Sequence, residues 1–168
     1  PRRKKIITKN FNKIYNKTGI KNTRISNTNQ DVIDLAYKAC LKHKEKLNKI
    51  DAIIFVTQTP RYLLPSCSCI LQDKLKLKKK VYTIDLNMGC SGYIYGLSVA
   101  DSLIKNGIGK NILLVCADTY SKYIDKKNTN RFIFSDSASS TLIKQSNKKK
   151  IFDFSFFTDG SKHQSIII

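Results

Sequence analysis

Apolar residues along this chain come in short blocks that follow two different periods. From Thr28 to Leu47, Val32, Leu35, Ala36 and Ala39 keep one face apolar, which predicts a helix capped at Thr28 with Asp31 three residues on. Asp51 then leads into Ala52-Ile53-Ile54-Phe55-Val56-Thr57, a continuous run that predicts a strand covered on both faces. A loop over 58–65 precedes a short helix from Ser66 to Leu75, with Ser66 as its N-cap. Lys80-Val81-Tyr82-Thr83-Ile84-Asp85-Leu86 alternates and is rich in strand formers. Tyr93 to Ile104 is apolar on almost every side, the pattern of a buried helix, and Asn106-Gly107 supplies its C-cap. Asn111 to Ala117 predicts a second fully apolar strand. Arg131 to Phe134 and Ser139 to Ile143 follow, parted by Ser135-Asp136-Ser137-Ala138, and Ile151 to Phe157 is the last predicted strand. The first 28 residues read as basic and irregular, with a turn at Thr18-Gly19-Ile20.

Strand, helix, strand, helix, strand in succession predicts an α/β layer with a mainly parallel sheet, right-handed crossovers and an antiparallel pair near the end. No repeat, linker or biased segment divides the 168 residues, which suffice for one domain with a real core. No run approaches the ~18 apolar residues of a membrane span. Pro1-Arg2-Arg3-Lys4-Lys5 is followed only by Ile6-Ile7, unlike a secretory leader.

Charge changes this picture less than its size suggests. The net charge of +19 is compatible with an anionic partner, yet 26 of the 31 basic residues are lysines scattered without an arginine-rich stripe. We read them as a solvated surface; Lys78-Lys79-Lys80 and Lys148-Lys149-Lys150 each abut a predicted strand as turns do. Aromatics mostly fall inside apolar runs, which disfavours a nucleic-acid-binding module. Five cysteines, an odd number without paired-ligand spacing, argue against a disulfide scaffold and against a metal site, and place the chain in a reducing cytoplasm.

One of those cysteines is different. Cys90, within Asn87-Met88-Gly89-Cys90-Ser91-Gly92-Tyr93, falls where the alternating strand meets the apolar helix. Gly89 and Gly92 let the backbone bend there and let another group come close. A helix N-terminus favours an anion, so the thiolate is stabilised, and the same N–H groups could hold an oxyanion formed on attack at a carbonyl. A buried structural cysteine is the alternative reading of this local pattern.

The order of several short motifs goes further. Thr18-Gly19-Ile20-Lys21, Thr57-Gln58-Thr59-Pro60, Leu64-Pro65-Ser66, Met88-Gly89-Cys90-Ser91-Gly92-Tyr93, Gly107-x2-Lys110-Asn111-Ile112-Leu113-Leu114-Val115 and Phe134-Ser135-Asp136-Ser137-Ala138 together resemble the 3-oxoacyl-ACP synthase III family. The resemblance covers nearly the whole chain but only the N-terminal half of the family's length. It implies a thiolase-like half-domain, and Cys90 as the nucleophile that takes an acyl group from acyl-CoA before condensation with malonyl-ACP. Acyl-CoA is then a substrate, and no resident cofactor is expected. The implied partners are an acidic acyl carrier protein and a second copy of the chain, with neither nucleic acid nor membrane. Leu64 matches a bulky residue that floors the partner's acyl pocket, and Lys17 a basic residue that contacts the CoA phosphates.

Departures from the family pattern are equally specific. Lys13 stands where a tryptophan often stacks on adenine. A CoA-binding arginine falls near Asn128, with Arg131 three residues later. The family's Phe-Gly-Asp-Gly turn reads Phe134-Ser135-Asp136-Ser137. The family's histidine and asparagine lie in its other half, and here the histidines are His43, in a lysine-rich helix, and His163, in a polar tail, both read as surface residues. The fragment is therefore expected to load an acyl group rather than condense two. Divergent synthases of the polyketide or hydroxymethylglutaryl-CoA type, and a non-catalytic half-domain, are the alternatives.

Overall fold

A computed structural model describes residues 11–125, 128–148, 151, 153–165 and 167. Pro1 to Ile7, and parts of the Lys148–Lys150, Ile151–Phe157 and Ile166–Ile168 stretches, lie outside the described residues. Four strands, β1 (Ala52–Val56), β2 (Tyr82–Leu86), β3 (Asn111–Asp118) and β4 (Ser137–Lys144), form one sheet in the order β2-β1-β3-β4. β1 pairs parallel with β2 and β3, while β4 runs antiparallel to β3. The mainly parallel sheet with an antiparallel member near the end is as the sequence predicts.

Burial explains why β1 is central. All five of its residues are buried, because its two faces meet different layers. Ile53 and Phe55 join Leu113 and Val115 under α2 (Val32–Cys40) and α3 (Cys67–Lys74). Ala52, Ile54 and Val56 join Ile112 and Leu114 under α4 (Gly92–Lys105). The chain passes from β1 through α3 to β2 on one side, then back through α4 to β3 on the other. Crossovers of one hand taken in opposite directions put their helices on opposite faces, and leave a crevice at the strands' carboxyl ends where the direction reverses.

Local chemistry sets the element ends. The first predicted helix starts at Val32 rather than after Thr28, because Asp31 accepts hydrogen bonds from the Ile33 and Asp34 N–H groups while Asp34 Oδ2 accepts from the Asp31 N–H. It also ends early. Leu41–Lys49 continues as a 3-10 segment broken at His43, since this lysine-rich stretch buries no residue against the sheet. Ser66 caps α3 as expected. Gly107, at φ +72°, closes α4: the Ile108 N–H reaches the Leu103 carbonyl and the Gly107 N–H that of Ile104.

Four expectations are corrected. The first 28 residues are not wholly irregular, because Phe11–Thr18 forms helix α1, ending at Gly19 with φ +69°. Arg131 to Phe134 is not a strand: Thr129–Phe132 turns as a 3-10 segment, and Phe134 rests on the Tyr120 ring at 4.9 Å instead of joining a ladder. No strand lies among the described residues of 151–157. Phe154 and Phe156 stack on each other at 5.8 Å and Phe156 meets Tyr95 at 4.6 Å, so they make ring contacts in place of strand pairing. Helix α4 is not buried all round. Gly92, Gly96, Ala100 and Leu103 form its one buried stripe, facing the sheet, whereas Tyr93 and Ile94 are exposed. Among the described residues no helix is long and apolar enough to cross a membrane.

Gly92 marks the tightest approach between layers. A Cβ built there would stand 2.3 Å from Val56 Cγ1 and 3.0 Å from Met88 Cβ, and a buried valine cannot swing aside. Gly92→Ala is expected to lower stability by about 1–3 kcal/mol in urea unfolding, despite alanine's better helix propensity. An unchanged midpoint would show that the layers have room to part.

Candidate active site

The carboxyl ends of β1, β2 and β3 bring three connections together. After β2, residues 87–91 turn into α4, with Cys90 at the turn and exposed. The Gly92 N–H bonds back to the Gly89 carbonyl at 2.8 Å, and those of Ile94 and Tyr95 to the Ser91 carbonyl. The Cys90 N–H has no acceptor among the described residues, which leaves a donor beside the thiol. Neither Gly89 nor Gly92 has positive φ. The glycines here serve close approach rather than the bend: a Cβ on Gly89 would meet Gln58 Oε1 at 2.7 Å.

Gln58 belongs to the loop after β1, and one carboxylate shapes that loop. Asp118, at the end of β3, accepts through Oδ1 from the Thr57 and Thr59 hydroxyls and from the Gln58 and Thr59 N–H groups, all within 3.1 Å. Two residues on, the Tyr120 hydroxyl donates to Gln58 Oε1. Burial, with the negative charges of Asp118 and of Cys90 adding to it, pushes the Tyr120 phenol above its usual range, so it remains a donor at neutral pH. Gln58, Tyr120 and Asp118 therefore back the Cys90 turn. Thr57-Gln58-Thr59-Pro60 stands out in the sequence, but nothing in its pattern says that Gln58 would meet Gly89.

Asp136 performs a second stitching task. It accepts from the Ser26 N–H and hydroxyl and from the Ser121 N–H and hydroxyl, between 2.5 and 2.9 Å. Ser135, in a glycine's place in the family pattern, accepts from the Arg24 N–H at 3.0 Å. Its hydroxyl is absorbed into the same clamp.

Other predicted site residues are more scattered. Leu64 is 86% exposed in the loop over 58–65, next to Leu63 at 99%, and Arg61 ties this loop to Asp31 at 2.8 Å. Lys17 is exposed in the last turn of α1. Asn128 is exposed and its carbonyl accepts from the Arg131 N–H. Arg131 is half-buried and shares a small cleft with Phe134, which rests on Tyr120, so it lies on the Cys90 side of the molecule. His163 is exposed as expected. His43 is half-buried rather than on the surface, because the kink at this position turns its Nε2 to within 3.4 Å of the Ser140 carbonyl. No group of three or more metal-ligating side chains is assembled among the described residues.

The remaining cysteines differ chemically from Cys90. Burial pushes the Cys40 thiol up to about 12. Burial, reinforced by nearby carboxylates, puts Cys67 and Cys116 at about 11. All three stay protonated near neutrality, and Cys69 is the other exposed thiol.

The chain is similar to known proteins over most of its length. The family model described as 3-oxoacyl-[acyl-carrier-protein (ACP)] synthase III matches residues 84–160. The beta-ketoacyl-[acyl-carrier-protein] synthase III of Fusobacterium nucleatum is 38% identical over 169 residues, covering 98% of this chain and 51% of that protein. The Clostridium tetani protein of the same name is 36% identical, covering 93% and 48%. A crystal structure of 3-oxoacyl-(acyl-carrier-protein) synthase III superposes with a TM-score of 0.88 at 38% identity, over 93% of this chain and 48% of that one. The chain spans about half the length of these curated relatives.

Two measurements follow. Iodoacetamide near neutral pH is expected to alkylate Cys90 and Cys69, with Cys40, Cys67 and Cys116 labelled only after unfolding; a protected Cys90 beside a labelled Cys116 would reverse the assignment. The raised thiols also make stability fall at high pH. Below about 9 they are neutral in both states; as pH rises towards 11–12 the unfolded chain releases its protons first and is favoured. Thermal midpoints should drop across that window, and Cys40→Ala should flatten the drop.

Proposed function

Since the chain belongs to the 3-oxoacyl-ACP synthase III family over the half of that family's length it spans, we propose that it carries the acyl-accepting cysteine of such a synthase. The observation that carries this reading is Cys90: an exposed thiol at a strand-to-helix turn, beside a backbone donor that has no acceptor among the described residues. In the proposed course the Cys90 thiolate attacks an acyl-CoA carbonyl, and the C–S bond to coenzyme A breaks as the new thioester forms. The Cys90 N–H steadies the oxyanion of the tetrahedral intermediate. CoA leaves as a thiol after taking up a proton. In the intact protein, with the family's histidine and asparagine supplied by the other half, malonyl-ACP then enters and loses carbon dioxide, and its carbanion attacks the acyl thioester, releasing the Cys90 sulfur.

Within this reading Lys17, Asn128 and Arg131 face the CoA phosphates, and Leu64 reaches into a second copy of the chain in a homodimer. The near-complete exposure of Leu63 and Leu64 on a tethered loop supports that last assignment, since apolar side chains so placed tend to be covered by a partner. An acidic carrier protein suits the net charge of +19. Five free cysteines suit a reducing cytoplasm.

Incubation of the intact gene product with radiolabelled acetyl-CoA should give a hydroxylamine-sensitive label on the Cys90 peptide. Cys90→Ser should reduce transfer by roughly a thousandfold or more. Label that persists in this variant, or resides on Cys69, refutes the proposal.

A further inference from the structure

A cavity of about 610 Å³, open to solvent, lies at the opposite end of the sheet from Cys90, where β1, β2 and β3 begin. Each five-residue parallel strand puts roughly 17 Å between its two ends, so nothing in the cavity can touch the thiol. The volume is within the range of small-molecule sites, about 300–1,000 Å³. Its walls are the Lys78–Tyr82 segment entering β2 and the Gly107–Lys110 turn entering β3, with Asp51 between them.

Charge in this cavity is one-sided. Asp51 is its only acid among the described lining residues, and that carboxylate is already engaged by three donors. Oδ2 accepts from the Lys110 and Asn111 N–H groups at 2.9 and 3.0 Å, and Oδ1 takes the Lys78 ammonium at 2.9 Å. Burial pushes Asp51 up, but these hydrogen bonds outweigh it and hold the carboxyl below its usual value, so it remains ionised and committed to them. Lys79, Lys80 and Lys110 are left without a carboxylate among the described residues. Beside them, Gly109 is buried, yet its N–H has no acceptor among the described residues. Three ammonium groups and a spare backbone donor around one hollow make a seat for a phosphate.

The same walls carry apolar surface. Tyr82 is 41% exposed and Ile108 52% exposed, an aromatic and an aliphatic side chain on opposite walls beside the lysines. Inorganic phosphate would leave them uncovered. We propose that this cavity is a second binding site, for a nucleoside phosphate, with the phosphate on Lys79, Lys80 and Lys110 and the base against Tyr82 and Ile108. The site is independent of the Cys90 chemistry and stands or falls separately from it.

Calorimetric titration at low ionic strength with AMP and, separately, with inorganic phosphate tests the assignment. AMP should bind more tightly than phosphate. Replacing Lys79, Lys80 and Lys110 together by Gln should weaken both by about tenfold or more, whereas Lys44, Lys46 and Lys49 replaced together by Gln should weaken neither. Tyr82→Leu should weaken AMP alone. Exposed lysines contribute little to folding, so both triple variants should keep the wild-type thermal midpoint. Equal losses in the two triple variants would reduce the effect to general attraction by a basic protein and overturn the proposal. Equal affinity for AMP and phosphate would overturn the nucleoside assignment, and absence of binding would overturn the site.

Discussion

Val56, the last residue of β1, stands so close to Gly92 that no side chain fits between them. This contact fixes where α4 begins relative to the central strand, and Cys90 sits two residues before that point. Strand β1 is itself held on both sides by apolar layers, so the turn is referred to a strand whose every residue is buried. Gly96 repeats the approach one turn later, where a Cβ would stand 2.5 Å from Leu114 Cδ1. A helix with larger residues at these two positions would ride higher on the sheet and carry the cysteine with it.

Hydrogen bonding from a few carboxylates completes what packing begins. The chain has 12 acidic residues against 31 basic ones, and several of those acids sit at strand ends or turns rather than on open surface. Asp85 accepts the first N–H groups of α3 at 2.6 and 2.8 Å, Asp118 gathers the loop after β1, Asp136 clamps two serines, and Asp51 joins the starts of β2 and β3. Where the donors they hold are buried or half-buried, as at Thr59, Ser68 and Ser121, leaving one unpaired would cost about 1–3 kcal/mol. With so many acids spent internally, the lysines stay uncompensated. The resulting positive field draws anions towards the whole molecule and is weakened by salt beyond about 10 Å.

Sequence patterning was most legible where one residue type has one physical use. The apolar run of β1 predicts burial on both faces, Ser66 predicts a cap, and Gly107 predicts a helix end; each is found. Patterning misled where an apolar residue had two ways to be covered. Phe132 and Phe134 look like alternate positions of a strand, as do Phe154 and Phe156, but Phe134, Phe154 and Phe156 find aromatic partners instead of a ladder. Tyr93 and Ile94 read as core in a helix apolar all round, and only one of its faces meets the sheet.

The chain's own order of residues determined the α/β alternation, the central strand and the position of Cys90 between a strand and a helix, because each depends on local periodicity and on neighbours a few residues away. Tertiary structure alone decided which groups back the turn that carries that thiol. Gln58, Asp118 and Tyr120 come from two connections 60 residues apart, and their meeting depends on β1 and β3 lying side by side. It likewise decided that Lys79, Lys80 and Lys110 share one hollow, since the register of parallel strands, not sequence distance, brings their starting ends together.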